Sequence, residues 1–150
     1  MRRKEFGMAG NSIFAKIAAL MNVSPLEVLR TRIYTVEIYP DGFFYLKTDN
    51  DVHQTVRDLK EAIAIIRKHS DEKKALVLLD TGKDSLSEKE VREYAASEEV
   101  NRLIKAEAII ATTLSHQLLV NAYLRLNKPG RPSKAFRDEK KAIEWLKTFR

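Results

Sequence analysis

The sequence predicts an α/β domain: a mixed four- to five-stranded sheet that starts with a β-hairpin, continues as alternating helices and strands, and is covered by helices. Three observations carry this. Alternation from Arg32 to Tyr39 puts Tyr34, Val36 and Ile38 on one face, and Pro40-Asp41-Gly42 then makes a turn, because Pro restricts φ and Gly accepts positive φ. Two short apolar runs, Ala75 to Leu79 ending at Asp80 and Ala106 to Thr112, have the continuous hydrophobicity of strands buried on both faces. Segments of helical period separate them, and strands alternating with helices behind a hairpin imply a mixed sheet.

Taken in order, residues 11–21 set Ile13, Phe14, Ile17, Ala18 and Met21 at helical spacing, and Ser24-Pro25 with Glu27 has the form of a second helix start. Residues 1–30 are therefore read as an N-terminal helical extension to a domain at 31–150. Phe43 to Thr48 returns from the turn as the second hairpin strand. Asp51 and Gln54 have capping-box spacing ahead of Val52, Val56, Leu59, Ile63 and Ile66, which share a helical face. Ser87 and Glu90 repeat that spacing and open a helix to about Leu103. Leu118, Leu119, Ala122, Tyr123 and Leu126 define the next helix. Two prolines in NKPGRPSKAF forbid helix there, leaving loop and a short extended segment. Asp138 can cap the last helix, whose buried side holds Ala142, Ile143, Trp145, Leu146 and Phe149.

The 150 residues suit one domain, and 44% hydrophobic with 32% charged residues is an ordinary globular composition. Without cysteine, disulfides, thiolate chemistry and Cys-containing zinc sites are excluded, and a reducing compartment is suited. No apolar run approaches the roughly 18 residues of a membrane span. The basic N-terminus has a signal-like look, but Lys16 interrupts its apolar stretch and no clean cleavage site follows, so the expected location is cytoplasmic. The net charge of +6 is uneven: five basic and two acidic residues in 1–30, eleven and fifteen in 31–100, eleven and four in 101–150. Such asymmetry suits an acidic protein partner or self-association, and equally a solvated basic face.

Candidate chemistry gathers where strands end and helices begin, since α/β sheets bind ligands there and helix N-termini favour anions. Asp80, Asp84, Ser85, Ser87, Thr113 and Ser115 form the candidate regulatory or ligand loops. The plainer readings weigh more: Ser87 with Glu90 is explained as a cap, and Thr112, Thr113 and Ser115 as satisfying helix N-terminal donors. His53, His69 and His116 lack metal-ligand spacing, Ser115 is not in a Gly-x-Ser-x-Gly elbow, and the five glycines form no phosphate loop. Arg125, Lys128, Arg131, Lys134 and Arg137 make a basic run in which Gly130-Arg131-Pro132 has the core of a minor-groove hook. Pro129 stands where its leading basic residue belongs, and a solvated basic loop outweighs nucleic-acid binding. No catalytic residue, metal or cofactor is expected.

The run LVLLDTG, then REYAASEEV, then AIIATT and LLVNAYLRLNKPGRPSKAFRDEKKAIEWL resembles an uncharacterised bacterial family, STAS/SEC14-domain-containing or SpoIIAA-like. The resemblance covers roughly residues 31–150 and is most specific from Asn121 to Leu146. It implies a mixed sheet backed by helices and no established activity. Relatives in the wider fold are anti-sigma-factor antagonists, regulatory domains of anion transporters, or lipid carriers. In the antagonists a phosphorylated serine follows a central strand; Asp84-Ser85 has a comparable place, but Leu86, Ser87 and Glu88 replace the small residues that follow there. The expected function is a non-enzymatic regulatory or protein-interaction module. The alternative is a carrier of a small apolar or lipid-like ligand, with Tyr34, Tyr39, Phe43, Phe44 and Tyr45 lining its pocket. An enzyme using Ser85, Ser87 or His116 has only their position in its favour.

Overall fold

The computed structural model describes residues 2–3 and 12–150, with side chains from Lys16 onward. The chain runs β1 (Arg2–Arg3), α1 (Ser12–Met21), β2 (Glu27–Arg30), β3 (Tyr34–Tyr39), a 3-10 turn (Pro40–Gly42), β4 (Phe43–Thr48), β5 (His53–Gln54), α2 (Val56–His69), β6 (Ala75–Asp80), β7 (Leu86–Ser87), α3 (Lys89–Ala95), α4 (Glu98–Leu103), β8 (Ile104–Ile110), α5 (Leu114–Asn127), β9 (Ser133–Phe136) and α6 (Glu139–Lys147). The main sheet has the order β1-β2-β3-β4-β6-β8-β9. Pairings from β1 to β4 are antiparallel, and those from β4 to β9 are parallel. This is the expected mixed sheet, with the short extended segment of NKPGRPSKAF as β9, widened to seven strands by β1 and β2.

Strand parity builds two cores. Even residues of β3 and β4 (Tyr34, Val36, Ile38, Phe44, Leu46) join Val77 of β6 under α2, with Val91 of α3 and Val100 of α4. Odd residues Tyr39, Phe43 and Tyr45 join Leu76, Leu78, Ala106, Ala108 and Ile110 against Ile17 and Met21 of α1 and Ile143 and Leu146 of α6. The apolar faces expected for α1, α2 and α6 thus pack largely inward; the side chains of Ile13 and Phe14 lie outside the described residues.

Four local expectations are corrected. Ser24-Pro25 with Glu27 does not start a helix. Glu27–Arg30 pairs antiparallel with β3, burying Val28 and Leu29, because a four-residue segment gains more from a sheet edge than from one isolated helical turn. Asp51 is not a cap: it sits at φ 54 in a turn, and α2 is capped by Thr55, which accepts from the Asp58 amide while the Asp58 side chain accepts from the Thr55 amide. Ser87 caps nothing either; with Leu86 it forms β7, a parallel ladder to β5. The helix behind it breaks in two at Ala96-Ser97, where α4 turns its own apolar residue Val100 into the core. The helix defined by Leu118, Leu119, Ala122, Tyr123 and Leu126 is present as α5; Leu118, Leu119 and Leu126 are exposed on it, and Val120 is its buried residue.

Gly82 marks the closest approach between the ends of β4 and β6. Its φ is +73, and an added Cβ would lie 2.5 Å from the Asp49 carbonyl oxygen and 2.8 Å from that of Thr48. Glu37 is a second constraint. Its parity places a carboxyl in the core under α1 and α6, where Oε1 accepts from the Tyr39 hydroxyl and Oε2 has no partner among the described residues. Burial raises its pKa from the usual carboxyl range to about 7.

A carboxyl with a raised folded pKa favours the fold in its protonated form. Its contribution is complete below about pH 4.5 and is lost progressively as pH rises to and through 7. Glu37→Gln should remove this loss. Urea unfolding at pH 5 and pH 8 should show wild type losing on the order of 3 kcal/mol more than the variant over that interval. Parallel profiles would mean that Glu37 is not held protonated.

Candidate functional site

The sheet face under α2 and α3 continues the same parity onto its far strands: Leu46 and Thr48 on β4, Val77 and Leu79 on β6 with Thr81 just beyond, Glu107 and Ile109 on β8. These residues floor a cavity of about 470 Å³, walled by Leu59, Ile63 and Ile66 of α2, by Val91 and Ala95 of α3, and by α5. The volume is within the range of small-molecule sites. α5 packs chiefly on β9 and α3 and reaches β8 through Val120, which clusters with Ile109 and Ala111, and the cavity lies between this helix and α2. Leu119 and Leu126 line the space yet are 67% and 78% exposed, so α5 forms an open apolar rim.

Polar groups collect at two ends of this apolar space. Val77 lies opposite Glu107 in register, four residues before Thr81, which separates the ends by about 13 Å along the strands. At the Thr81 end, Thr81 Oγ1 donates to the Ile110 carbonyl at 3.1 Å and lies 3.0 Å from His116 Nε2. Ser85 donates to the Asp49 carbonyl at 2.6 Å, and Arg92 donates to the Ser87 carbonyl at 2.8 Å. The buried Tyr34 hydroxyl borders the same end and has no partner; burial, then the nearby Asp58 charge, pushes its pKa upward.

At the other end Glu107 and Arg131 form a buried ion pair, with Arg131 Nη2 3.1 Å from Glu107 Oε2 and side chains 8% and 3% exposed. Arg131 Nη1 donates to the Ala95 carbonyl at 2.8 Å and to Asn101 Oδ1 at 2.6 Å, tying the loop before β9 to the α3–α4 break. Among the described residues Arg131 Nε and the Tyr123 hydroxyl are buried there without a well-aligned partner, and Arg131 is itself the cation beside that hydroxyl. Burial, reinforced by Glu107 and opposed by Arg131, raises the Tyr123 pKa to about 12.

The residues singled out from sequence divide between cavity and surface. Ser85 and Ser87 line the cavity. Asp80 faces the opposite core, accepting from the Tyr45 hydroxyl at 3.3 Å and from the Gly82 amide at 3.1 Å, with Lys47 Nζ 3.4 Å away. Asp84 is exposed at φ 57 in the turn before β7. Thr113 caps α5, accepting from the His116 amide at 3.1 Å, and Ser115 is exposed beside it. Of the five hairpin aromatics, Tyr34 alone lines the cavity; Phe44 is on the same sheet face but fills the core under α2, and Tyr39, Phe43 and Tyr45 point to the other core.

Glu107, Tyr123 and Arg131 are not among the candidate loop residues read from the sequence. The signal for Glu107 was a lone charge inside an apolar strand run. Arg131 is corrected outright: it belongs to no solvated loop, because the proline-flanked turn NKPGRP aims it inward at Glu107, while Arg125, Lys128, Lys134 and Arg137 stay exposed. Among the described residues no cluster of three or more His, Asp or Glu could hold a metal, and no helix is long and apolar enough to cross a membrane.

The fold is that of SpoIIAA-like proteins. A solved structure of an uncharacterised DUF3478-family protein with a SpoIIAA-like fold, from Shewanella loihica PV-4, superposes with a TM-score of 0.53 at 17% identity, covering 79% of this chain and 98% of the other. Residues 36–150 match the family model of a domain of unknown function, DUF7793, and the chain belongs to that family. No protein of curated function matches the sequence.

Because Arg131 is buried with its charge met by Glu107, Glu107→Ala should cost on the order of 3 kcal/mol in urea unfolding. Glu107→Leu combined with Arg131→Met should cost less than the sum of the two single changes. Strict additivity in that cycle would show that the pair is not coupled.

Proposed function

We propose that the chain is a non-enzymatic, cytoplasmic binding module that holds a small, largely apolar ligand between the sheet and α2, α3 and α5. The observation that carries this reading is the cavity itself: aliphatic floor and walls, one open side, and a rim of exposed leucines that a bound ligand would cover. Burying such rim side chains stabilises a complex by about 25 cal/mol per Å² of apolar surface removed from water. The lipid-carrier branch of the resemblance read from the sequence points the same way. Ser85, Ser87 and His116 serve in this reading as lining and structural hydrogen-bond groups, since each is already engaged with backbone or a neighbouring side chain.

The test uses N-phenyl-1-naphthylamine, a neutral dye that brightens on leaving water. Wild type should bind it saturably. Ala122→Trp, which fills the space from α5, should weaken binding at least tenfold while keeping the wild-type circular dichroism. Equal binding by both proteins, or no binding by either, would overturn the reading.

A second reading, regulation through protein contact, rests on Leu114 and Leu118, which are exposed on α5 at 63% and 61% and do not line the cavity. Self-association through this patch predicts that sedimentation equilibrium gives a dimer mass for wild type and a monomer mass for Leu114→Glu/Leu118→Glu. A monomer in both cases removes that reading.

A further inference from the structure

We infer that the cavity selects a ligand carrying an uncharged hydrogen-bond acceptor (ketone, ester or amide carbonyl) at one end of an apolar body, and that Tyr123 and Arg131 are the groups that receive it. This deepens the binding reading above and rests on it.

The chemistry follows from what remains unpaired. Buried donors without partners are uncommon in folded proteins, because each forfeits its hydration on folding. Arg131 has spent its terminal nitrogens on Glu107, Asn101 and the Ala95 carbonyl, yet Nε–H has no well-aligned partner among the described residues, in a side chain that is 3% exposed. The Tyr123 hydroxyl is likewise enclosed, with Arg131 as the hydrogen-bonding cation behind its oxygen, so its O–H is the donor left for a ligand; both residues line the cavity. An O–H backed by a guanidinium at one end of an apolar space matches an uncharged acceptor with accessible lone pairs, which describes a carbonyl oxygen.

Charge then decides between a neutral acceptor and an anion. A carboxylate head would approach an arginine whose charge Glu107 already neutralises, and it would lie beside the Glu107 carboxylate in a site closed to water. Desolvating the anion there is not repaid by a net positive charge. A carbonyl has little hydration to lose and meets no repulsion. The opposite end differs in kind. Thr81 already donates to the Ile110 carbonyl and Ser85 to the Asp49 carbonyl, which leaves Tyr34 as the buried hydroxyl without a partner there among the described residues. The Asp58 charge near that hydroxyl makes it the poorer donor, and that end the weaker anchor.

The experiment is competition against bound N-phenyl-1-naphthylamine by 2-decanone and by decanoate, equal in chain length. Wild type should prefer the ketone by tenfold or more. Tyr123→Phe keeps the ring and removes the donor. It should weaken the ketone about 3- to 10-fold relative to the dye, the worth of one hydrogen bond. Tyr34→Phe should leave that ketone-to-dye ratio at its wild-type value. Tighter binding of decanoate, an unchanged ketone-to-dye ratio in Tyr123→Phe, or a loss in Tyr34→Phe instead would overturn this inference while dye binding keeps the cavity reading intact. Absence of dye binding in wild type would remove the cavity reading itself.

Discussion

Burial of the central sheet on both faces is the constraint from which the other features follow. Strands β4, β6 and β8 are interior to the sheet, and most of their residues are shielded from water on either face. A period of two then assigns each of those side chains to one core or the other. The core under α1 and α6 is closed with Tyr39, Phe43, Tyr45, Leu76 and Leu78. The other face is closed by α2, α3 and α4 over β3, β4 and β6, and the cavity is left between those helices and α5, which meets β8 through Val120 and Ile109.

The same constraint explains the two carboxylates buried in the main sheet. Glu37 and Glu107 are each forced inward by parity, and each meets the cost differently. Among the described residues Glu37 has a tyrosine hydroxyl and no cation, and burial raises its pKa to about 7. Glu107 has Arg131, brought in by the proline-bounded loop before β9, and the pair pins that loop to the α3–α4 break. One carboxyl therefore couples the fold to pH, and the other assembles a polar end for the cavity. Because Arg131 holds three partners at once, the Nε–H it leaves without a well-aligned partner is a geometric remainder of its structural work.

Much of the scaffold was legible in the chain because its signals are local. Alternation around Pro40-Asp41-Gly42, the apolar runs ending at Asp80 and beginning at Ala106, and the stripes on α2 and α6 each depend on residues within one element. The false helix starts at Ser24, Asp51 and Ser87 share one cause: the same short polar pattern serves a helix cap, a turn and a strand end, and the sheet edge, the αL turn and the β5–β7 ladder decided among them. Of the candidate loop residues, Ser85 and Ser87 reach the cavity, whereas Asp80 differs from its neighbour Thr81 by one residue and so points to the opposite face.

The order of the main strands and covering helices from β3 to α6, the class of fold and the absence of thiol chemistry were determined by the sequence alone, since hydrophobic period and composition act over a few residues at a time. The short strands β1, β2, β5 and β7, the seating of α5, the exposure of Leu119 and Leu126, and the meeting of Glu107, Tyr123 and Arg131 were decided only in three dimensions. Those residues come from a strand, a helix and a loop whose spacing in the chain carries no mark of their contact, and a cavity is a property of how whole elements pack, which no local pattern encodes.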